Sequence, residues 1–172
     1  MISIEELFGK IIVSSQAMPN EPLYEENCML AMMKSVVNGG AQALRVAGAR
    51  DVGNAKANFD IPVIGLTKPE KLPDNWQSVV YITPTLKEVR ELIEAGADVI
   101  AFDGTSRDRG GCTVKEIIEE IHRAKRLAMA DISTYAEGIN CSNLGADIIS
   151  TTLAGYTDES MPAKDTPDFE LL

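Results

Sequence analysis

The feature that most constrains the fold is a repeated unit, in which a short uninterrupted apolar run is followed by a segment with helical spacing. Apolar and polar residues do not alternate within the runs. Each run therefore has the pattern of a strand buried on both faces, which is typical of a parallel sheet wrapped by helices. The six runs are residues 11–13, 43–44, 63–66, 99–102, 127–130 and 148–149.

Two recurring signals mark where the helices begin and end. Three threonines are each followed, three residues later, by a glutamate, which is the capping-box pattern of a helix N-terminus. A Gly-Ala pair stands just before three of the apolar runs, and glycine supplies the left-handed backbone that ends a helix. The capping pairs are Thr85 and Glu88, Thr113 and Glu116, and Thr134 and Glu137, and the glycines are Gly40, Gly96 and Gly145.

The stretch between Lys68 and Thr85 does not fit this repeat. Residues 69–78 are irregular, and residues 79–82 are apolar. We interpret 79–82 as a short extra strand within a loop, because Thr83-Pro84 leads directly into a helix. The alternative is a full strand of the main sheet, which would raise the strand count by one.

Length and charge narrow the class of protein. The 172 residues predict one domain, 1–172, with 45% hydrophobic and 24% charged residues and a net charge of −10. An acidic surface repels a phosphate backbone, so nucleic acid is not an expected partner. We find no signal-peptide pattern and no membrane-spanning run, and we expect a cytoplasmic protein without a membrane partner.

The cysteines and the histidine argue against a metal site. Cys28, Cys112 and Cys141 are odd in number, no C-x-x-C motif occurs, and His122 is the only histidine. We therefore expect reduced thiols and no zinc centre.

Polar residues follow the apolar runs at their ends. The carboxyl ends of parallel strands meet at one face, where ligands bind in both barrels and doubly wound sheets. The first turn, residues 14–19, lacks the glycines of a dinucleotide fingerprint, and no Walker-type loop occurs. This favours a barrel over a flavodoxin-like nucleotide-binding module. The strand-end candidates are Gln16, Arg45, Lys68, Asp103, Asp131 and Thr152.

Several segments resemble the N-acetylmannosamine-6-phosphate 2-epimerase family, and the likeness runs from about residue 11 to the end. Three local departures are Arg45-Val46-Ala47 for the family's Arg-Ala-Asn, residues 102–105 (Phe-Asp-Gly-Thr) for Leu-Asp-Ala-Thr, and a longer loop after Lys68. They leave the preferred acyl group open. The similar segments are residues 12–17, 21–23, 62–65, 81–85, 129–134 and 150–157.

The resemblance implies a (β/α)8 TIM barrel with about six of its eight βα units in this chain. It also implies an isomerase of sialic acid catabolism that converts N-acetylmannosamine 6-phosphate to N-acetylglucosamine 6-phosphate by removing and returning a proton at C2. Lys68 is the expected base, and Asp131 the second catalytic residue. No metal or organic cofactor is expected. The expected substrate-binding residues are Gln16, Arg45, Asp103 and Thr152.

The C-terminal segment leads to a second hypothesis. Thr166 as an N-cap and Pro167 at the first helical position predict a helix that begins near Phe169. We expect the last two strands and their phosphate-binding loops beyond Leu172, and hence negligible turnover by this polypeptide alone. The alternative function is a catalytically inactive, truncated barrel used for binding or oligomerisation. Unpaired sheet edges would permit a homodimer.

Overall fold

The computed structural model describes residues 2–160 and 168–172. Six parallel strands form one sheet in the order of the sequence, so each strand pairs with the strands before and after it. All six apolar runs are strands, as predicted. The strands are β1 (Ile12–Ser15), β2 (Ala43–Ala47), β3 (Val63–Leu66), β4 (Val99–Asp103), β5 (Leu127–Asp131) and β6 (Ile148–Ser150).

A helix follows each of the first five strands, and three of the helix starts and three of the helix ends are those that the sequence predicted. All three capping boxes form. Gly40, Gly96 and Gly145 have φ values of 103°, 94° and 100°, the left-handed conformation that a helix end needs. The helices are α1 (Glu26–Asn38), α2 (Ala49–Asn58), α3 (Leu86–Glu94), α4 (Val114–Arg123) and α5 (Tyr135–Asn143), and 3-10 turns occupy Ile4–Glu6, Pro22–Tyr24 and Trp76–Ser78.

Each face of the sheet carries its own apolar layer, because successive side chains of a strand point to opposite faces. Leu44, Ile100 and Ala130 pack with residues of the helices, such as Met29 and Ile117. The other face forms a separate inner layer, which includes Ala43, Ile64, Leu66, Val99, Ala101 and Met129. Consecutive βα units with an inner and an outer layer are the architecture of a (β/α)8 barrel, as predicted.

The burial of the strands differs from the prediction at the two ends of the sheet. Strands β3 and β4 are buried throughout, as a strand covered on both faces should be. In β1 and β6, by contrast, Ile12 and Ile149 are each 38% exposed. Among the described residues, each of these strands has a hydrogen-bonded neighbour on one side only.

The extra strand predicted at residues 79–82 is wrong, and so is its alternative of a full strand. Ile82 and Thr83 lie instead between the diverging ends of β3 and β4, which pair at only two positions. The Asp103 N–H donates to the Ile82 carbonyl at 3.0 Å, and the Thr83 N–H donates to the Thr67 carbonyl at 3.2 Å. Thr83 reaches both strands with a φ of 43°, a conformation that no strand contains.

The predicted C-terminal helix is not present in the described residues 168–172, which form a turn. The Leu171 N–H donates to the Asp168 carbonyl at 3.3 Å. The predicted N-cap, Thr166, and the predicted first helical residue, Pro167, lie outside the described residues.

Candidate active site

The strand-end residues point into the concave side of the sheet. Side chains of a strand repeat with a period of two. Asp103 and Asp131 each follow an inner-layer residue by two positions, and they are direct partners in the β4–β5 pairing. Arg45 likewise lies two positions after Ala43, and Lys68 lies two positions after Leu66. The site is therefore the polar continuation of the inner apolar layer.

Asp131 lies at the centre of this face and holds two other predicted residues. Its side chain is fully buried. Oδ2 accepts a hydrogen bond from Arg45 Nη2 at 2.6 Å, and Oδ1 accepts one from Thr152 Oγ1 at 2.8 Å. Burial raises the pKa of the Asp131 carboxyl, while the Arg45 charge and the Thr152 hydroxyl act in the opposite direction. These two partners stabilise the carboxylate form.

Lys68 lies beside this ion pair and remains exposed. Desolvation of its ammonium group lowers its pKa, and the nearby Arg45 charge lowers it further. Asp131 and Glu21 oppose the shift, but the pKa still falls below the ordinary value of 10.5. A larger fraction of Lys68 is therefore neutral near pH 7 than of a free lysine, and only the neutral amine can accept a proton.

Two buried polar atoms of this face have no hydrogen-bond partner among the described residues. Gln16 Nε2 donates to Ser14 Oγ at 2.7 Å, but Gln16 Oε1 and Arg45 Nε are unpaired. A buried polar atom without a partner costs about 1–3 kcal/mol. A ligand with hydroxyl groups and a negatively polarised oxygen would satisfy both atoms, since one accepts and the other donates.

Asp103 is part of a separate buried network. Its Oδ1 accepts hydrogen bonds from Thr105 N and Oγ1 at 3.0 and 2.6 Å, and its Oδ2 accepts from Arg107 Nη2 at 2.6 Å. Arg107 also donates to the carbonyls of Trp76 and Gln77 at 3.1 and 3.0 Å. Asp103 thereby anchors the loop that follows Lys68, and its contact with substrate stays a prediction.

Sequence reasoning assigned no role to Glu21 and Arg107. Glu21 belongs to the 21–23 segment that carries the family resemblance, and this was the available signal for it. Arg107 lies in an irregular loop and binds the nearby Asp103 and Thr105 as well as carbonyls 30 and 31 residues away, so no periodic pattern marks it.

The described residues contain no group of three or more His, Cys, Asp or Glu side chains placed to hold a metal ion. His122 lies on α4, where its Nε2 is 2.8 Å from Asp147 Oδ2. None of the helices in this part of the chain is long and apolar enough to cross a membrane.

Comparison with known proteins decides the family. A family model described as "Putative N-acetylmannosamine-6-phosphate epimerase" matches residues 29–172, well over half of the chain. The chain belongs to this family. The predicted resemblance is thus confirmed.

Individual members of the epimerase family are similar over almost all of the chain. A protein from Caldanaerobacter subterraneus subsp. tengcongensis, named "Putative N-acetylmannosamine-6-phosphate 2-epimerase", is 46% identical, and the match covers 98% of this chain and 70% of that protein. A protein of the same name from Clostridium perfringens is 45% identical over 95% of this chain and 72% of its own length.

A solved structure of the family confirms the fold. The N-acetylmannosamine-6-phosphate 2-epimerase from Clostridium perfringens superimposes with a TM-score of 0.84 at 43% identity, covering 95% of this chain and 69% of that one. A mandelate oxidase mutant superimposes with a TM-score of 0.56 at 14% identity over 86% of this chain. The second likeness shows the barrel fold alone.

Proposed function

We propose that this protein is an isomerase that converts N-acetylmannosamine 6-phosphate to N-acetylglucosamine 6-phosphate in sialic acid catabolism. The observation that carries the proposal is Lys68, a lysine with a lowered pKa beside the Arg45–Asp131 ion pair, at the strand ends of a chain of the epimerase family. The names of the relatives supply the substrate and the carbon that is inverted.

The reaction inverts C2, the carbon next to the aldehyde of the open-chain sugar. The neutral amine of Lys68 removes the C2 proton, and the electrons of the C2–H bond form a C1–C2 double bond while negative charge moves to the aldehyde oxygen. A proton from solvent then adds to the opposite face of C2 while the carbonyl group re-forms, which gives the epimer, and Lys68 releases its proton to solvent. The protein must therefore stabilise the developing charge on that oxygen.

Arg45 is the residue that we assign to this charge. Its Nε is buried and unpaired among the described residues, while its Nη2 is held by Asp131 at 2.6 Å. Asp131 thus fixes the guanidinium in place and leaves a donor for the substrate oxygen. Thr152 orients the Asp131 carboxylate, and Gln16 Oε1 is placed to accept a hydrogen bond from a sugar hydroxyl. No step requires a metal or an organic cofactor.

The proposal also covers the location of the protein, its binding partner and its oligomeric state. The acidic composition and the three free cysteines support a cytoplasmic protein whose partner is a sugar phosphate rather than nucleic acid. We further propose a homodimer, which size-exclusion chromatography with light scattering measures directly.

The activity is tested by incubating N-acetylmannosamine 6-phosphate with the chain extended beyond Leu172 by family-like sequence, and following the sugar by proton NMR. This extended chain is the wild-type protein in the activity measurements, and the 172-residue polypeptide alone, measured in parallel, should show negligible turnover. We expect the anomeric signals of N-acetylglucosamine 6-phosphate to appear. Failure to form this product, with the substrate intact and the protein folded by circular dichroism, would refute the proposed function.

A further inference from the structure

Thr83 has an unusual backbone conformation for its residue type. Its φ is 43°, and among the described non-glycine residues only Thr83 and Lys125 have a positive φ. A β-branched residue adopts this conformation rarely and at a cost in free energy. Lys125 lies in the exposed turn after α4, whereas Thr83 is fully buried beside the ends of β3 and β4. Residues under such strain cluster at active sites, so the strain at Thr83 points to a function.

The contacts of Thr83 hold the peptide group that immediately precedes Lys68. The pairing of β3 with β2 ends at Leu66, and its pairing with β4 ends at Gly65, so Thr67 lies beyond both pairings. Thr83 Oγ1 accepts a hydrogen bond from the Thr67 N–H at 3.0 Å, and the Thr83 N–H donates to the Thr67 carbonyl at 3.2 Å. One residue therefore binds both polar backbone groups of Thr67.

This arrangement fixes the start of the Lys68 main chain. The Thr67 carbonyl and the nitrogen and Cα of Lys68 belong to one planar peptide unit, so a hydrogen bond to that carbonyl limits the orientation of the whole unit. Thr83 is itself anchored, because its hydroxyl donates to the Ala101 carbonyl of β4 at 2.7 Å. The Lys68 side chain is exposed, so the place of its amine depends on this backbone more than on side-chain packing.

We propose that Thr83 is a positioning residue for the reaction, which holds the Lys68 amine at the distance that proton removal from C2 requires. The inference rests on the proposed epimerase function. A base has to approach the reacting carbon to about 3–3.5 Å, and a displacement of about 1 Å can lower the rate by about 10²-fold. Thr83 is fully buried and does not touch the substrate, so it acts on Lys68 through Thr67.

The test measures kcat and KM for exchange of the C2 proton of N-acetylmannosamine 6-phosphate in D2O, with the extended wild-type protein and three variants at this position. Thr83→Val keeps the shape but removes the hydroxyl. Thr83→Gly also removes the hydroxyl, and glycine suits the positive φ, so this variant decides the question if the valine variant does not fold. Thr83→Ser keeps the hydroxyl.

A fourth variant, Ile121→Ala, is the control for lost stability. Ile121 is fully buried in the outer apolar layer, near the end of α4, so its truncation weakens the fold without touching the Thr83 contacts. Circular dichroism establishes that each variant is folded at the temperature of the assay.

We expect kcat to fall by about tenfold to 10²-fold in Thr83→Val and Thr83→Gly. KM should stay within about threefold of the wild-type value, because the residues assigned to bind the sugar are not held by Thr83. Thr83→Ser and Ile121→Ala should keep kcat within about threefold of wild type. Wild-type kcat in Thr83→Gly, or the same loss in Thr83→Ser or Ile121→Ala, overturns this inference alone. Wild-type protein that exchanges no C2 proton overturns the proposed function, and this inference with it.

Discussion

At the scale of single residues, Lys68 and Arg45 make the pH dependence of the reaction predictable. The neutral amine is the active form, so kcat/KM rises with pH as Lys68 loses its proton. Because desolvation of the ammonium group and the Arg45 charge lower the pKa of Lys68, the midpoint of this rise should fall below 10.5. Arg45→Met removes a positive charge that lowers the pKa of Lys68. It also leaves the Asp131 carboxylate unpaired, and the negative charge of Asp131 raises that pKa. The substitution should therefore move the midpoint to higher pH.

The measurement is the pH profile of C2 proton exchange for the wild-type and Arg45→Met proteins. The midpoint is the informative quantity, since the substitution also lowers the rate at every pH by removing the donor that stabilises the developing charge on the aldehyde oxygen. Superimposable midpoints would show that Arg45 does not act on Lys68.

Gly104 gives a second prediction at this scale. A Cβ atom placed there would lie 2.8 Å from Cys141 Sγ and 3.0 Å from Ala130 Cβ. Gly104→Ala should therefore lower the free energy of unfolding by about 1–3 kcal/mol, the usual range for overpacking. Urea denaturation measures this loss. When Cys141 is first replaced by alanine, Gly104→Ala should lower the free energy of unfolding by a smaller amount. If the losses of the two single substitutions simply add in the double variant, the added Cβ does not clash with Cys141 Sγ.

Strand-end polar residues were the part of the site that sequence could predict. Arg45, Lys68 and Asp131 follow apolar runs, and parallel strands bring such positions together whatever the intervening chain does. The engagement of Asp103 Oδ2 was not predictable. It depends on Arg107, whose position is set by a loop rather than by a periodic element.

At the scale of elements, residues 79–83 show where a local pattern misleads. Residues 79–82 are four consecutive apolar or aromatic residues, a pattern that favours a strand. They form none, because residues 82 and 83 lie between the diverging ends of β3 and β4 and hydrogen-bond to both sides. Thr83 Oγ1 donates to the Ala101 carbonyl at 2.7 Å and accepts from the Thr67 N–H at 3.0 Å, which joins the two strands through one side chain. The starts of α3, α4 and α5, by contrast, were predictable because capping is a contact between residues three apart.

The Thr83 bridge can be tested by removing its hydroxyl. Thr83→Val keeps the shape and leaves two backbone groups without this partner, at about 1–3 kcal/mol each, so the free energy of unfolding should fall by about 2–6 kcal/mol. Thr83→Ser keeps the hydroxyl and is the matched control. If chemical denaturation shows equal losses for the two variants, the hydroxyl is not the bridging group.

At the scale of the whole molecule, sequence predicted the parallel βα architecture but supplied only indirect evidence for a barrel. Both a barrel and a doubly wound sheet contain buried strands with helices between them, and they differ in which strands are neighbours. Strand order depends on contacts distant in sequence. The absence of a glycine-rich first turn and the family resemblance favoured the barrel. The observed order agrees with it, because every strand from β1 to β6 lies beside its neighbours in sequence.

The central claim is that Lys68 removes the C2 proton at a site built from the strand ends. Its most direct test is deuterium incorporation at C2 of N-acetylmannosamine 6-phosphate in D2O, comparing wild type with Lys68→Met. Lys115→Met, on the exposed side of α4, is the matched control. We predict incorporation by wild type and Lys115→Met and a loss of about 10²–10⁴-fold in Lys68→Met, the usual contribution of a general base. Incorporation by Lys68→Met at the wild-type rate would contradict the assignment of Lys68 as the base.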